Sequence, residues 1–545
     1  MDTEHTISSY LIDKLYANGV RHIFGVAGDY VLGFYKALEN SPIKIINTCD
    51  EQGAGFAADA YARINGLGAV CITYCVGGLK VANSTAQAFA EKSPVIVISG
   101  APGINERTKN ALLHHKVRDF DTQLKVFEQL TVATTLLDDA ETACQEIDRV
   151  FNAAARHKRP VYIELPRDKV LEPINTKHEP IKPTYTSDAN ALSEALKEST
   201  KMIKRAKQPV ILAGVELHRF GLQDVLHTLL DSSNIPVAST ILSKSVIAEN
   251  HPLYLGVYEG AMCRDEVREY VESSDCIMML GVFLTDVNLG IFTSQLDEGK
   301  SIYVTSEKVT IKYHSFEHVE MADYLQGLSE ARFNKQITKQ RPHPPAAITP
   351  TPTAGKKMTV SYLFQRLNTF LDDNTVVIAD PGDAMFAAID MIIHGETEFL
   401  APAYYTSLGF AVPASMGAQL ANPALRALVL VGDGAFQMTG MELSSIARFK
   451  LNPIIIVLNN RGYGTERPML DGQFNDIHPW QFSKIPLVLN AGKGFYIKSE
   501  NQLEEALVQT EKHNDEFCIL DVQLDPDDSS LSLQRLTAAL SKRVQ

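Results

Sequence analysis

Two stretches decide the fold: Leu428-Val429-Leu430-Val431 running into Gly432-Asp433-Gly434, and Ile454-Ile455-Ile456-Val457-Leu458 running into Asn459-Asn460-Arg461-Gly462. Each is a short, continuously apolar run that ends in small and polar residues, the pattern of a parallel strand buried on both faces. Ligands of open α/β sheets bind beyond the carboxyl ends of the strands, so both endings stand where chemistry is expected. Gln437 occupies the place of a third glycine, which excludes the dinucleotide fingerprint GxGxxG.

Asn460 follows Asp433 by 27 residues, the length of one strand-helix-strand unit. That spacing brings an aspartate carboxylate, an asparagine amide oxygen and the Gly462 carbonyl toward one point. These are hard oxygen donors that suit magnesium, with phosphate oxygens and water completing an octahedron. The arrangement resembles the thiamine diphosphate motif, GDG followed by NN.

Outward from this region, strand and helix signals alternate in three stretches, as in α/β domains with doubly wound parallel sheets. The limits read as 1–178, 190–338 and 358–545, with a linker at 339–357. Proline-rich connections mark the joins, Glu172 to Pro183 and Arg341 to Gly355. The first stretch holds Val95-Ile96-Val97-Ile98, Val161-Tyr162-Ile163 and a small-residue helix from Gln52 to Arg63. The middle one has strands at Val210-Ile211-Leu212 and Cys276 to Leu280 and no chemical motif, which gives it a mainly structural role. The third opens with a helix around Thr359 to Leu371 and the strand Val376-Val377-Ile378. No sequence repeat is evident, although the first and third stretches share a rhythm.

Composition bounds the function. The 545 residues are 45% hydrophobic and 21% charged, which excludes a disordered scaffold or a fibre. A net charge of −14 spread along the chain argues against a nucleic-acid or anionic-membrane surface. Seven scattered cysteines without a CxxC pair fit buried reduced thiols. The acidic N-terminus lacks a signal-peptide pattern, and no apolar run approaches the ~18 residues of a membrane span. A cytoplasmic protein is expected.

Further motifs narrow the resemblance. Phe24-Gly25-Val26-Ala27-Gly28-Asp29, Ala90-Glu91-Lys92-Ser93-Pro94, His114-His115 and Asn475-Asp476-Ile477 with Trp480 are similar to the pyruvate, indolepyruvate and phenylpyruvate decarboxylase family, nearly end to end. The resemblance implies non-oxidative decarboxylation of a 2-oxo acid to an aldehyde, with thiamine diphosphate and Mg2+ as cofactors. It implies pyrimidine binding by the first domain and diphosphate binding by the third. Glu51, after the strand-like Ile45-Ile46-Asn47-Thr48, would be the carboxylate against the cofactor's aminopyrimidine. Asp29, His114, His115 and Glu466 match the family's catalytic polar positions, and groups titrating near neutrality suit the proton transfers that accompany loss of CO2. Asp433, Asn460 and Gly462 would hold the metal.

Leu408 matches the apolar wedge that bends the cofactor, and the backbone around Thr406 and Ser407 would hold the pyrimidine. Asp383, Gly434, Ala435, Tyr463, Gly464 and Thr465 complete the implied contacts. Because the family's cofactor bridges two subunits, a homodimer is the implied minimum, with dimers pairing into a homotetramer.

Asp380-Pro381-Gly382-Asp383 departs from the pattern. Many relatives carry glycine-threonine there, and a carboxylate beside diphosphate is unfavourable unless it faces the metal, bonds the pyrimidine side or is protonated. With Met385 and Phe386 this stretch is closer to phenylpyruvate-type enzymes, and Thr465 replaces a larger branched residue. An aromatic or branched substrate is therefore expected. The competing readings are a carboligase of the acetolactate synthase type, against which the paired histidines and Glu466 argue, and a catalytically silent cofactor-binding protein. The C-terminal helix candidate, Ser530 to Leu540, has two readings, a cover that helps close the pocket and an ordinary amphipathic packing helix.

Overall fold

The computed structural model describes residues 5–108, 110–174, 178–180, 183–333, 335–336, 339–395 and 399–544. The proline connection at 172–183 and the extreme N-terminus thus lie partly outside the described residues.

Three parallel-dominated sheets follow one another along the chain. The first, all parallel, has the order Lys44–Asn47, His22–Gly25, Gly68–Ile72, Val95–Ala101, Val161–Pro166, Thr134–Leu136. The third has the order Phe399–Leu400, Thr375–Ala379, Arg426–Gly432, Ile454–Asn459, Cys518–Gln523, Lys493–Ile497. In both, the second strand in sequence lies outside the first, and the fifth lies outside the sixth. The shared rhythm is therefore a shared topology. Every residue of Val95–Ala101 and of Ile454–Asn459 is buried, because helices cover both faces.

The middle sheet has seven strands. Pro209–Ala213 and Cys276–Leu280 pair in parallel at its centre, while Ser301–Val304, Lys308–Ile311 and His314–Glu317 finish one edge as an antiparallel meander. The helix expected around Thr359 to Leu371 spans Val360–Asn368. Thr359 caps its start, and Asn368 is drawn off to accept the Ile392 N–H at 2.7 Å.

The first and third domains share a core. Helix Glu51–Asn65, capped by the Asp50 side chain and ended by Gly66 at φ +88°, packs on helix Ala411–Ala421. Small residues permit the approach: a Cβ on Gly417 would stand 2.0 Å from the Ala57 carbonyl oxygen. A second apolar cluster joins Ile241, Met262 and Ile291 of the middle domain to Met385 and Phe386 of the third.

Buried charges stitch the three domains at residues 91–92. Arg63 pairs with Asp59 and Glu91, and Glu91 accepts the backbone N–H groups of Tyr404 and Tyr405 at 2.8 and 2.9 Å. Next to it, Lys92 pairs with Glu216 and donates to the Ser306 hydroxyl, both in the middle domain. All seven cysteines are free, six of them buried and Cys49 exposed. Among the described residues no helix is long and apolar enough to cross a membrane.

Candidate active site

Asp433 is the first residue of helix Asp433–Thr439 and follows strand Arg426–Gly432 without a break. Its carboxylate accepts the Gly434 N–H at 2.8 Å and the Arg461 N–H at 2.6 Å. Burial pushes this carboxyl up to about 6, against the pull of the amide donors. No side-chain cation pairs with it among the described residues. A buried carboxylate lacking a counter-charge, next to neutral oxygen donors, fits a small divalent cation.

The paired asparagines divide their roles. Asn459 turns into the interior and donates to Asp521 at 2.8 Å, whereas Asn460 reaches the cavity wall. Glycines let the two loops meet: a Cβ on Gly434 would lie 2.7 Å from the Tyr463 ring, and one on Gly464 would lie 2.4 Å from the Asn460 amide nitrogen. A Cβ on Gly462 would stand 2.1 Å from the Asn475 carbonyl oxygen, which also accepts the Tyr463 N–H at 2.9 Å. The Asn475-Asp476 segment thus serves as the backing of the Gly462-Tyr463 loop.

A cavity of about 320 Å³ opens beside these groups. Its wall includes Thr406, Leu408, Gly434, Ala435, Asn460, Gly462, Tyr463, Gly464, Thr465 and Glu466, and its apolar side is formed by Val287, Ile291, Met385, Phe386, Met469 and Leu536. Val287 and Ile291 come from the middle domain, so that domain shapes the site as well as supporting it. Ser407 is not on this wall; its hydroxyl accepts from the Asn83 side chain at 2.8 Å and faces the first domain.

Two aspartates of the Asp380-Pro381-Gly382-Asp383 turn have distinct tasks. Asp380 accepts the Gly409 and Ala411 N–H groups at 2.8 and 2.7 Å, fixing the segment that follows Leu408, and burial pushes its carboxyl up to about 7. Sequence reasoning gave this residue no role; an acidic residue at the end of the buried strand Thr375–Ala379 was the available signal. Asp383 lines the cavity, but its carboxylate accepts both the N–H and the hydroxyl of Ser530. Burial raises it to about 6.

The remaining predicted residues lie on the first domain. Glu51 begins its helix, nearly buried, with Oε2 2.7 Å from the Lys80 ammonium. The His114 Nε2 is 2.8 Å from Asp29 Oδ2, and the His114 ring stacks on Tyr30. His115 meets His114 edge-on, and ligand-type atoms of Asp29, His114 and His115 all lie within 4.8 Å of one another. None of Asp29, Glu51, His114 or His115 lines the cavity that holds Glu466. The two groups of residues therefore stand apart within one chain.

Comparisons with known proteins agree with this division. Residues 5–123 match the N-terminal TPP binding domain of the thiamine pyrophosphate enzymes, residues 196–326 the central domain and residues 380–522 the C-terminal TPP binding domain. An indole-3-pyruvate decarboxylase of Azospirillum brasilense is 35% identical over 509 residues, covering 92% of each chain. An alpha-keto-acid decarboxylase of Mycobacterium leprae is 33% identical over 558 residues, covering 100% of this chain and 96% of the relative. One of Mycobacterium ulcerans is 31% identical over 555 residues, covering 99% and 97%. The chain belongs to the thiamine pyrophosphate enzymes, and within them to the thiamine diphosphate-dependent 2-oxo acid decarboxylases.

Proposed function

We propose that the protein decarboxylates an aromatic or branched 2-oxo acid, such as phenylpyruvate or indolepyruvate, with Mg2+ and thiamine diphosphate held between two copies of the chain. The placement of these residues carries this reading: the cavity wall includes Asn460, Gly462 and Glu466, with Asp433 at the strand end between wall residues Gly432 and Gly434, while Glu51 and the Asp29/His114/His115 cluster stand on another domain. A homodimer that faces each chain's first domain with the other's third makes two complete sites, and two dimers form the tetramer. The domain limits are 1–178, 190–338 and 358–545, and the protein acts in the cytoplasm, without nucleic acid or membrane.

Asp433, Asn460 and Gly462 hold the metal, and the backbone from Thr406 to Leu408 with Gly434, Ala435 and residues 463–465 borders the cofactor. When bound, thiamine diphosphate supplies the carbon nucleophile and electron sink that loss of CO2 requires. Glu51 moves a proton at its carboxylate against the aminopyrimidine. Asp29 Oδ2 fixes the His114 ring through Nε2, leaving Nδ1 for exchange with the reacting region, and Glu466 brings a carboxylate from the opposite wall. Proton transfer belongs to the set as a whole and not to one member. The apolar wall from Val287 to Leu536 and the short Thr465 side chain leave room for a bulky substituent.

The test is aldehyde release from pyruvate, branched-chain, phenylpyruvate and indolepyruvate substrates. The kcat/KM for an aromatic or branched substrate is expected to be at least tenfold above that for pyruvate. Equal values would contradict the substrate class, and acetolactate or acyloin as main product would contradict the reaction.

A further inference from the structure

The cavity wall includes a residue that arrives from the far end of the chain. Ser530 caps the C-terminal helix Leu531–Val544, its hydroxyl accepting the Leu533 N–H at 3.1 Å. The same serine gives its two donors to one carboxylate: the N–H to Asp383 Oδ2 at 2.9 Å and the hydroxyl to Asp383 Oδ1. Asp383 in turn begins helix Asp383–Ala387, whose Met385 and Phe386 line the cavity. The two helices are therefore joined start to start, and they pack together beyond that joint. A second tether lies two residues earlier, where Asp528 Oδ2 accepts the Val360 N–H at 2.7 Å.

What the joint holds in place is Leu536. This side chain is 4% exposed and forms part of the cavity wall, while Leu533, one turn earlier, lines a neighbouring polar cavity of about 190 Å³. Asp383, Asn460 and Gly464 border both spaces, so the start of the C-terminal helix stands at the partition between them. A buried carboxylate needs hydrogen-bond donors or a cation. No cation pairs with Asp383 among the described residues, and Ser530 supplies two donors from the helix side. A carboxylate committed in this way has its hydrogen-bond donors without the cofactor.

We propose that Asp383 and Ser530 form a positioning pair that holds the C-terminal helix against the cofactor cavity and so sets the place of Leu536, which bounds the room for the 2-oxo acid's side chain. The assignment rests on reading the cavity as a 2-oxo acid site. It makes Asp383 a tether of the pocket's closing helix in place of a cofactor ligand. Loosening the pair moves one wall of the substrate space while leaving Asp433, Asn460 and Gly462 in place.

The experiment compares wild type, Ser530→Ala, Ser530→Thr, Asp383→Asn and Leu536→Ala as full chains with Mg2+ and thiamine diphosphate added. Hydrogen exchange is followed in residues 531–538 and in 433–439, and kcat and KM are measured for pyruvate and phenylpyruvate. Ser530→Ala and Asp383→Asn are expected to speed exchange in 531–538 at least tenfold, to leave 433–439 unchanged, and to shift the phenylpyruvate-to-pyruvate ratio of kcat/KM at least fivefold toward the larger substrate. Ser530→Thr, which keeps both donors, retains wild-type exchange, and Leu536→Ala shifts the ratio without speeding exchange at residues 531–534. Unchanged exchange in Ser530→Ala and Asp383→Asn overturns the tether, and faster exchange with an unchanged ratio overturns the placing of Leu536. Exchange is read without turnover, so a wild type that decarboxylates no 2-oxo acid would defeat the proposed function separately from the tether.

Discussion

Glu442 holds Asp50: one oxygen of its buried carboxylate accepts the Asp50 N–H at 3.0 Å and the other accepts the Cys49 N–H at 3.0 Å. Glu442 belongs to the third domain, a few residues beyond the helix that Asp433 begins, and Cys49 and Asp50 immediately precede Glu51. The approach is close enough that a Cβ on Gly53 would stand 2.3 Å from Glu442 Oε1. The turn that presents Glu51 is thus fastened to the domain that carries Asp433 and Asn460.

Glu442→Ala leaves two backbone donors without acceptors, a loss of about 1–3 kcal/mol for each one that stays buried. Because the turn carries Glu51, kcat is expected to fall at least tenfold while Mg2+ affinity changes less than threefold. Steady-state kinetics beside a metal titration checks this, and an unchanged kcat would refute the positioning role.

Removal of the metal should act through Asp433. Chelation of wild type, or the substitution Asp433→Asn, is expected to weaken thiamine diphosphate binding at least tenfold. Added Mg2+ restores only the wild type. Calorimetric titration with cofactor, with and without Mg2+, reads the difference.

Asp380 gives stability a definite pH dependence. Burial raises its carboxyl from 3.8 when unfolded to about 7 when folded. Its contribution is therefore fully present below about 3.8 and is lost as pH rises through about 7. Asp380→Asn removes this titration, so the urea midpoint of the variant should fall less steeply than that of wild type between pH 5 and pH 8. Parallel slopes would contradict the assignment.

Arg63 lies between Asp59 and Glu91 with almost no exposure of any of the three side chains. Arg63→Met strands two carboxylates and is expected to cost about 3–5 kcal/mol in urea unfolding, the usual loss when one partner leaves a buried pair. A cost below about 1 kcal/mol would mean that the carboxylates take up protons without strain.

Thr465 stands on the cavity wall beside Glu466. Thr465→Ile adds bulk at the wall proposed to face an aromatic substituent, so kcat/KM for phenylpyruvate should fall at least tenfold and that for pyruvate less than threefold. Equal losses on both substrates would move the substituent elsewhere in the cavity.

The parts of this molecule that were legible in sequence are local ones. Leu428 to Gly434 and Ile454 to Gly462 announce themselves because a parallel strand buried on both faces must be apolar throughout and its ligand-bearing turn follows directly. Asp383 was legible as an anomaly only, since its partner Ser530 lies 147 residues away. Val287 and Ile291 gave no signal, because an apolar residue on a loop of the middle domain looks the same whether it lines a cavity or fills a core. The antiparallel edge at residues 301–317 escaped for a similar reason: short strands there carry the same composition as the parallel ones. The separation of Asp29, His114 and His115 from Glu466 belongs to tertiary arrangement, which no motif spacing records.

The most direct measurement is aldehyde release from phenylpyruvate by wild type and Glu51→Gln, each with Mg2+ and thiamine diphosphate present or removed. A thiamine-dependent decarboxylation gives aldehyde and CO2 in equal amounts from wild type only when both cofactors are present, with at least a hundredfold loss in Glu51→Gln. Aldehyde release that persists in the variant or without the cofactors, or none from wild type with any 2-oxo acid, would contradict it.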